Sequence, residues 1–401
     1  MLVSGKDVGA IKLLCGFLTI EKVLICHVTN LWSLSLAMRF QPVSHSWVAL
    51  NSKPKGVIQF IGGAFFGTFW PMLFYRNLLQ RFFDDGYTII LLPFNFSFNH
   101  YAESGFLIRE QYEITPELVR RAILAGYDYK PYLDDQNFAW VGHSIGCKYI
   151  ALLEGFSALP SDEQGIKAFI TKVVEETSKS TDSPEKVKQK IDGTVADILI
   201  LINDLEQQRA TATELIKYYI SQDPKVKNVN DKSLDVIITS IFIKGQPSLL
   251  LAPVNTGLES AVPKPLADII IKFGFDVKPT PKETYALIKD GDLFNLLGLV
   301  SFPLDNIAKS TVQWFDETFK KPPKPPNSPN DYRQVLKGGH LRPLGFRIGN
   351  LVFNFPDLRF LIKPNQMPPI IESTQRRSTE FETPVSQLYQ RLEKKQESKN
   401  K

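Results

Sequence analysis

The stretch best suited to chemistry is Gly142-His143-Ser144-Ile145-Gly146. A serine hydroxyl is a weak nucleophile unless a base lies within hydrogen-bond reach and a third group orients that base. The flanks suit a sharp strand-to-helix turn that pushes such a hydroxyl outward. Phe138-Ala139-Trp140-Val141 is a short apolar run that reads as a buried strand, and Lys148 to Leu153 reads as the start of a helix. Gly142 and Gly146 let the strained backbone pass without a Cβ clash. The helix N-terminus beneath the turn favours developing negative charge.

A base and an acid must come from elsewhere in the chain. There are five histidines: His27, His45, His100, His143 and His340. His340 follows the strand-like Tyr332 to Leu336 and the pair Gly338-Gly339, where a base-carrying loop belongs. His143 stands beside the nucleophile, where its side chain is expected to point away and pack. His100 falls in a Phe- and Asn-rich loop and reads as a loop contact. Asp305, just past the apolar run Leu296 to Phe302, is the expected acid. Asp292 lies before that run and Asp316 in the helix after it, so both are placed wrongly. The order Ser144, Asp305, His340 is the one a nucleophile elbow on an α/β sheet requires. Gly62-Gly63, at the end of Val57 to Ile61, lets backbone N–H groups approach a ligand closely, as an oxyanion site demands.

These residues need a scaffold that brings strand ends together. Trp47–Leu50, Val57–Ile61, Tyr87–Phe94, Phe138–Val141, Pro247–Val254, Leu296–Phe302 and Tyr332–Leu336 read as strands. Pro71–Asp85, a helix from Thr115 to Gly126, 264–273, Pro279–Asp290 and Ile307–Phe319 read as helices. Helices between short apolar runs imply a mostly parallel, doubly wound α/β sheet with right-handed crossovers. Residues 160–240 break this rhythm with amphipathic helices over Pro184–Arg209 and Ala210–Gln222, expected to form a lid-like helical insertion. The core then comprises 38–159 and 241–366. Residues 1–37 form an extension, read as dispensable or as a targeting segment, in which no stretch reaches the ~20 apolar residues of a membrane span. Residues 367–401 read as a polar C-terminal tail with one helix near its end, Val385–Lys395.

Net charge is +5 and scattered, and zinc spacing, a basic helix and RNA-binding aromatic strands are all missing, which argues against nucleic acid. Three cysteines (Cys15, Cys26 and Cys147) do not make a disulfide scaffold and point to a reducing compartment. With neither metal-ligand spacing nor a phosphate loop, no metal and no cofactor is expected.

Four segments together resemble the α/β-hydrolase superfamily: Gly142-His143-Ser144-Ile145-Gly146, Gly62-Gly63-Ala64-Phe65, Leu304-Asp305-Asn306-Ile307 and Gly338-Gly339-His340-Leu341. The resemblance covers most of residues 40–360. More narrowly the chain is similar to a group of cyanobacterial and plastid proteins of that fold, known as a domain of unknown function. It implies Ser144 as nucleophile, Asp305 and His340 as its partners, and an oxyanion hole from the N–H of Ile145 and that of Ala64 or Phe65. Ile61-Gly62-Gly63 stands where many members carry His-Gly, which leaves the second donor open. The expected activity is a serine hydrolase acting on an ester or thioester through an acyl-enzyme, in the cytoplasm or plastid stroma. Phe65, Phe66, Phe69, Trp70, Phe94, Phe96 and Phe98 near the mouth suggest an apolar, lipid-like acyl group and peripheral membrane contact. An acyltransferase on the same three residues, or a binding module without catalysis, are the competing readings.

Overall fold

The computed structural model divides the chain into Met1–Arg39 and Phe40–Lys401. It describes residues 38–93, 95, 97–178, 182–224, 236, 242–243, 245–255, 277–290, 296–318, 332–356 and 368–397. The 1–37 extension, the expected helix over 264–273, Phe94, Phe96, His27, Asp292, Cys15 and Cys26 lie outside them.

Phe40–Lys401 is built on an eight-stranded sheet. Its strands are β1 (Gln41–Val43), β2 (Ser46–Ala49), β3 (Gly56–Ile61), β4 (Tyr87–Leu91), β5 (Phe138–His143), β6 (Ser248–Leu251), β7 (Leu297–Ser301) and β8 (Arg333–Val335). The spatial order is β1-β2-β4-β3-β5-β6-β7-β8. β1 and β2 form an antiparallel hairpin, β2 runs antiparallel to β4, and every later pair is parallel. β3 to β7 are buried along their whole length. That is why they read as unbroken apolar runs rather than alternating ones.

Helices cover the sheet: α1 (Pro71–Phe74), α2 (Arg76–Asp84), α3 (His100–Ala125), α4 (Gly146–Ser157), α5 (Glu163–Thr177), α6 (Pro184–Ser221), α7 (Pro281–Asp290) and α8 (Lys309–Thr318). The main core joins Val57, Ile90, Leu107, Leu118, Trp140, Ile150 and Leu299 across both layers. Among the described residues no helix is long and apolar enough to cross a membrane.

Three segments differ from the sequence reading. The helix expected from Thr115 starts fifteen positions earlier, at His100, where the Asn99 side chain accepts from Ala102 N–H at 3.2 Å. Pro116 sits inside it. The ~3 kcal/mol that an internal proline costs is offset by burial of Leu107, Ile108, Ile114 and Leu118 against the sheet. The insertion contains α5 and one unbroken 38-residue helix, α6, rather than two helices parted at 209/210. Leu201 of α6 fits against Gly105, where a Cβ would come within 2.5 Å, and Arg109 binds Asp204 at 3.0 Å.

The third difference is the C-terminal segment, which is not a tail over its described part. After β8 come β9 (Gly345–Ile348), β10 (Leu351–Asn354) and β11 (Ile371–Ser373), a second antiparallel sheet of order β11-β10-β9. The helices α9 (Thr374–Arg377) and α10 (Thr383–Glu397) follow. Val385, Leu388 and Leu392 are fully buried, and Leu388 and Leu392 lie over Gly298 of β7.

Candidate active site

The strand order reverses between β3 and β5. From β3 the chain steps outward to β4 on one side, and from β5 it steps to β6, β7 and β8 on the other. Such a reversal leaves a crevice at the carboxyl ends of the two central strands. Ser144 directly follows β5, Gly62-Gly63 directly follows β3, Asp305 follows β7, and His340 follows β8.

Ser144 has φ 57°, the left-handed region that non-glycine residues enter at a cost of about 1–2 kcal/mol. Its backbone is held on three sides. Ser144 N–H donates to Leu251 C=O at 3.1 Å, and its carbonyl accepts from Cys147 at 3.1 Å and Val254 at 3.2 Å. Gly146 is required because a Cβ there would meet the carbonyl oxygen of Ile61 at 2.3 Å. Gly63 lies so close to Ser144 that a Cβ would stand 3.2 Å from Ser144 Cβ.

His340 Nε2 lies 2.8 Å from Ser144 Oγ, and His340 Nδ1 lies 2.9 Å from Asp305 Oδ2. The second Asp305 oxygen accepts from the N–H of Ile307 at 2.9 Å and Ala308 at 2.8 Å, so the carboxylate also caps the entry to α8. With Oδ1 taken up by the two backbone donors, Oδ2 is the acceptor that faces the imidazole. Nδ1 therefore carries the imidazole proton, and Nε2 presents a lone pair to the Ser144 hydroxyl. Asp305 and His340 are buried and Ser144 is partly exposed.

Ile145 heads α4, and its N–H has no hydrogen-bond partner among the described residues; nor do those of Ala64 and Phe65. Gly63 N–H is engaged, donating to Tyr75 Oη at 2.8 Å. Phe65, Phe69 and Trp70, which follow this turn, are exposed, and Phe65 packs against Phe66 and Phe69. Phe98 is exposed too. A cavity of about 410 Å³ opens on the far side of Asp305, lined by Phe302, Asp305, Lys309, Val312 and Arg333. Ser144 does not line it, so it is not where a group attacked by Ser144 would sit.

The other histidines stand elsewhere. His45, in the β1–β2 turn, binds Glu110 at 2.9 Å, which raises its pKa. His45, Glu110 and Glu113 have ligand atoms within 4.8 Å of one another, a spacing a cation could use. Ser44 and Ser46 hydroxyls already donate to those carboxylates, and the group serves as a hairpin anchor remote in the fold from Ser144. His100, heading α3, is buried, and desolvation together with nearby Lys148 takes its pKa down to about 3. Asp316 pairs with Arg333. Burial pushes the Cys147 thiol well above its ordinary pKa, which suits a packing residue rather than a nucleophile.

Two features escaped the sequence reading. His143 does not simply pack: its Nδ1 meets Tyr75 Oη at 2.7 Å and its Nε2 meets the carbonyl of His340 at 2.9 Å. The loop carrying His340 is also held from the C-terminal segment. Arg377 Nη2 donates to the carbonyls of Arg342 at 2.9 Å and Pro343 at 3.3 Å, and its Nε to Glu382 at 2.6 Å. Arg342 pairs with Glu372 at 2.5 Å, and both guanidinium groups lie against the Phe381 ring. An arginine in the polar stretch Thr374-Gln375-Arg376-Arg377-Ser378 carries no mark of such burial, whereas His143 and Tyr75 are visible as residue types but not as neighbours.

Fold and site together describe an α/β protein with a mostly parallel sheet and a Ser–His–Asp hydrogen-bonded chain at its strand ends. Residues 39–172 match the family model described as Protein of unknown function (DUF1350). The matched stretch contains Gly62-Gly63 and Ser144 and ends before Asp305 and His340. Comparison with curated proteins gives no match.

Proposed function

We propose that the protein is a serine hydrolase of the α/β-hydrolase kind, cleaving an ester or thioester with an apolar acyl group. The observation that carries the reading is the hydrogen-bonded chain Ser144 Oγ–His340–Asp305, at 2.8 and 2.9 Å, beside the N–H groups of Ile145, Ala64 and Phe65, which have no partner among the described residues. His340 Nε2 takes the proton of Ser144 as Oγ bonds to the acyl carbon. The carbonyl oxygen gains negative charge facing the N–H of Ile145 and of Ala64 or Phe65. The imidazolium, stabilised by Asp305, returns its proton to the departing alkoxide or thiolate, leaving an acyl-serine. Water, deprotonated by His340, then releases the acid and frees Ser144.

Exposed Phe65, Phe69, Trp70 and Phe98 near the mouth favour an apolar acyl chain and contact with a lipid surface. The same proposal includes a lid. Leu201 and Asp204 of α6 meet Gly105 and Arg109 of α3, so the helices run in step and the first turns of α6 extend past the head of α3. Relationship to cyanobacterial and plastid proteins, and a cytoplasmic or stromal site of action, belong to this reading as well.

A fluorophosphonate probe tests it. Labelling mapped to Ser144 and abolished in Ser144→Ala is expected. A folded wild-type protein that stays unlabelled overturns the proposal. Rates across p-nitrophenyl esters of increasing chain length, with and without an added alcohol acceptor, then separate hydrolysis from acyl transfer.

A further inference from the structure

Four polar groups form one line behind the nucleophile. Gly63 N–H lies 2.8 Å from Tyr75 Oη, Tyr75 Oη lies 2.7 Å from His143 Nδ1, and His143 Nε2 lies 2.9 Å from the His340 carbonyl. Only one arrangement of protons satisfies them. A carbonyl can only accept, so His143 Nε2 carries the hydrogen. Nδ1 is then bare and accepts a hydrogen bond from the Tyr75 hydroxyl, which leaves the Tyr75 oxygen to accept from Gly63 N–H.

The line is closed to water. Tyr75 and His143 are buried, Tyr75 packs on Phe60 with ring centres 4.6 Å apart, and Gly62 is needed to admit its ring. Burial and the adjacent His340 take the His143 pKa down to about 3, so the ring adds no second positive charge beside the base.

The two ends of the line are the two backbones that flank Ser144. One is the Gly63 peptide, immediately before Ala64, and the other is the peptide of His340 itself. We infer that Tyr75 and His143 are positioning residues that tie the oxyanion turn to the backbone of the base, setting both against the nucleophile as one unit. By engaging Gly63 N–H, Tyr75 also leaves the second oxyanion contact to Ala64 or Phe65. This inference rests on the hydrolase reading of Ser144 and adds two residues to it.

The test compares Tyr75→Phe, His143→Phe, His143→Gln and the double variant Tyr75→Phe/His143→Phe, each checked for folding by its thermal melt. The readouts are the rate of Ser144 labelling by the fluorophosphonate, and kcat and KM on a p-nitrophenyl ester. Tyr75→Phe and His143→Phe are each expected to slow labelling and kcat by about 10- to 100-fold, the size of effect that misplacing reacting groups by about 1 Å produces, with little change in KM. Because the two act as one unit, the double variant should be no slower than the slower single variant. His143→Gln keeps an N–H for the His340 carbonyl and an oxygen for Tyr75, and should recover most of the rate.

A purely packing role predicts the reverse order, with Phe tolerated and Gln harmful. That order, losses that multiply in the double variant, or wild-type rates in folded Tyr75→Phe, would each overturn the inference while Ser144 labelling stands. A folded wild type that is not labelled overturns the hydrolase reading and this inference with it. Should His143→Phe not fold, Tyr75→Phe, which removes a single oxygen, decides the matter together with His143→Gln.

Discussion

Asp305 and His340 are 35 positions apart in the chain and 2.9 Å apart in space, and the aspartate does two jobs at once. One carboxylate oxygen holds His340 Nδ1. The other closes the turn into α8 through the N–H groups of Ile307 and Ala308. The Asp305 carboxylate is therefore oriented by two backbone donors as well as by the imidazole.

Separating those jobs is possible. Asp305→Asn keeps an oxygen for Ile307 and Ala308 but turns an amide N–H₂ toward Nδ1. His340 must then take the other tautomer and lose its lone pair toward Ser144. Labelling and ester hydrolysis should fall by roughly 10³- to 10⁴-fold while the thermal melt stays near wild type. A melt that drops as far as in Asp305→Ala would show that the cap was lost as well.

Gly146 and Gly193 should respond in opposite ways to alanine. At Gly146 the new Cβ would lie 2.3 Å from the Ile61 carbonyl oxygen and 2.8 Å from that of Gly62, both backbone atoms of β3 and its turn. Gly146→Ala should lose several °C in the melt and most Ser144 labelling. Gly193 lies within α6 with nothing within 4 Å of the added atom, and Gly193→Ala should stabilise by about 0.5–1 kcal/mol in urea unfolding.

Arg377 is 1% exposed and touches Glu382, Asn354 and the carbonyls of Arg342 and Pro343. Arg377→Met removes one partner from a buried ionic group and leaves Glu382 uncompensated, which costs about 3–5 kcal/mol. Urea unfolding should register that loss. Labelling of Ser144 should slow as well, because the turn after His340 loses its support.

Acid should destabilise the protein through two buried histidines. His143 and His100 both have folded pKa values near 3, against 6.5 for the free side chain. Between about pH 6.5 and pH 3 the unfolded chain binds protons that the folded chain refuses, so stability falls as pH is lowered through that window. Each histidine steepens the slope by up to about 1.4 kcal/mol per pH unit. Urea midpoints at pH 7.5 and pH 5 should differ less in His143→Gln than in wild type. Equal differences would show that His143 is not neutral in the fold.

The order Ser144, Asp305, His340 and the strand ends that carry them could be read directly from the sequence, because buried parallel strands announce themselves as apolar runs and glycine pairs mark their turns. Pro116 misled by its strength as a local signal: tertiary burial of Leu107 and Ile114 overrode it. The second sheet does carry a signal in the sequence. Gly349-Asn350, with Gly349 at φ 57°, stands between Phe346-Arg347-Ile348 and Leu351-Val352-Phe353, a two-residue hairpin with alternating flanks. The burial of Arg342, Glu372, Arg377 and Glu382 was not legible. Charges scattered through a polar stretch look solvated until their partners are known, and here the partners come from four separate elements.

The helix α10 has a consequence for how the protein comes into being. Leu388 and Leu392 brace β7, which leads to Asp305, and Arg377 braces the turn after His340. All three are made after Ser144, Asp305 and His340. A growing chain that has been translated through His340 holds Ser144, Asp305 and His340 but not the floor beneath two of them. Synthesis proceeds from the N-terminus at about 5–20 residues per second, so these supports follow His340 by some seconds. Packing of α10 and of Arg377 is thus the event that braces Asp305 and His340, and under the hydrolase reading chemistry waits for it.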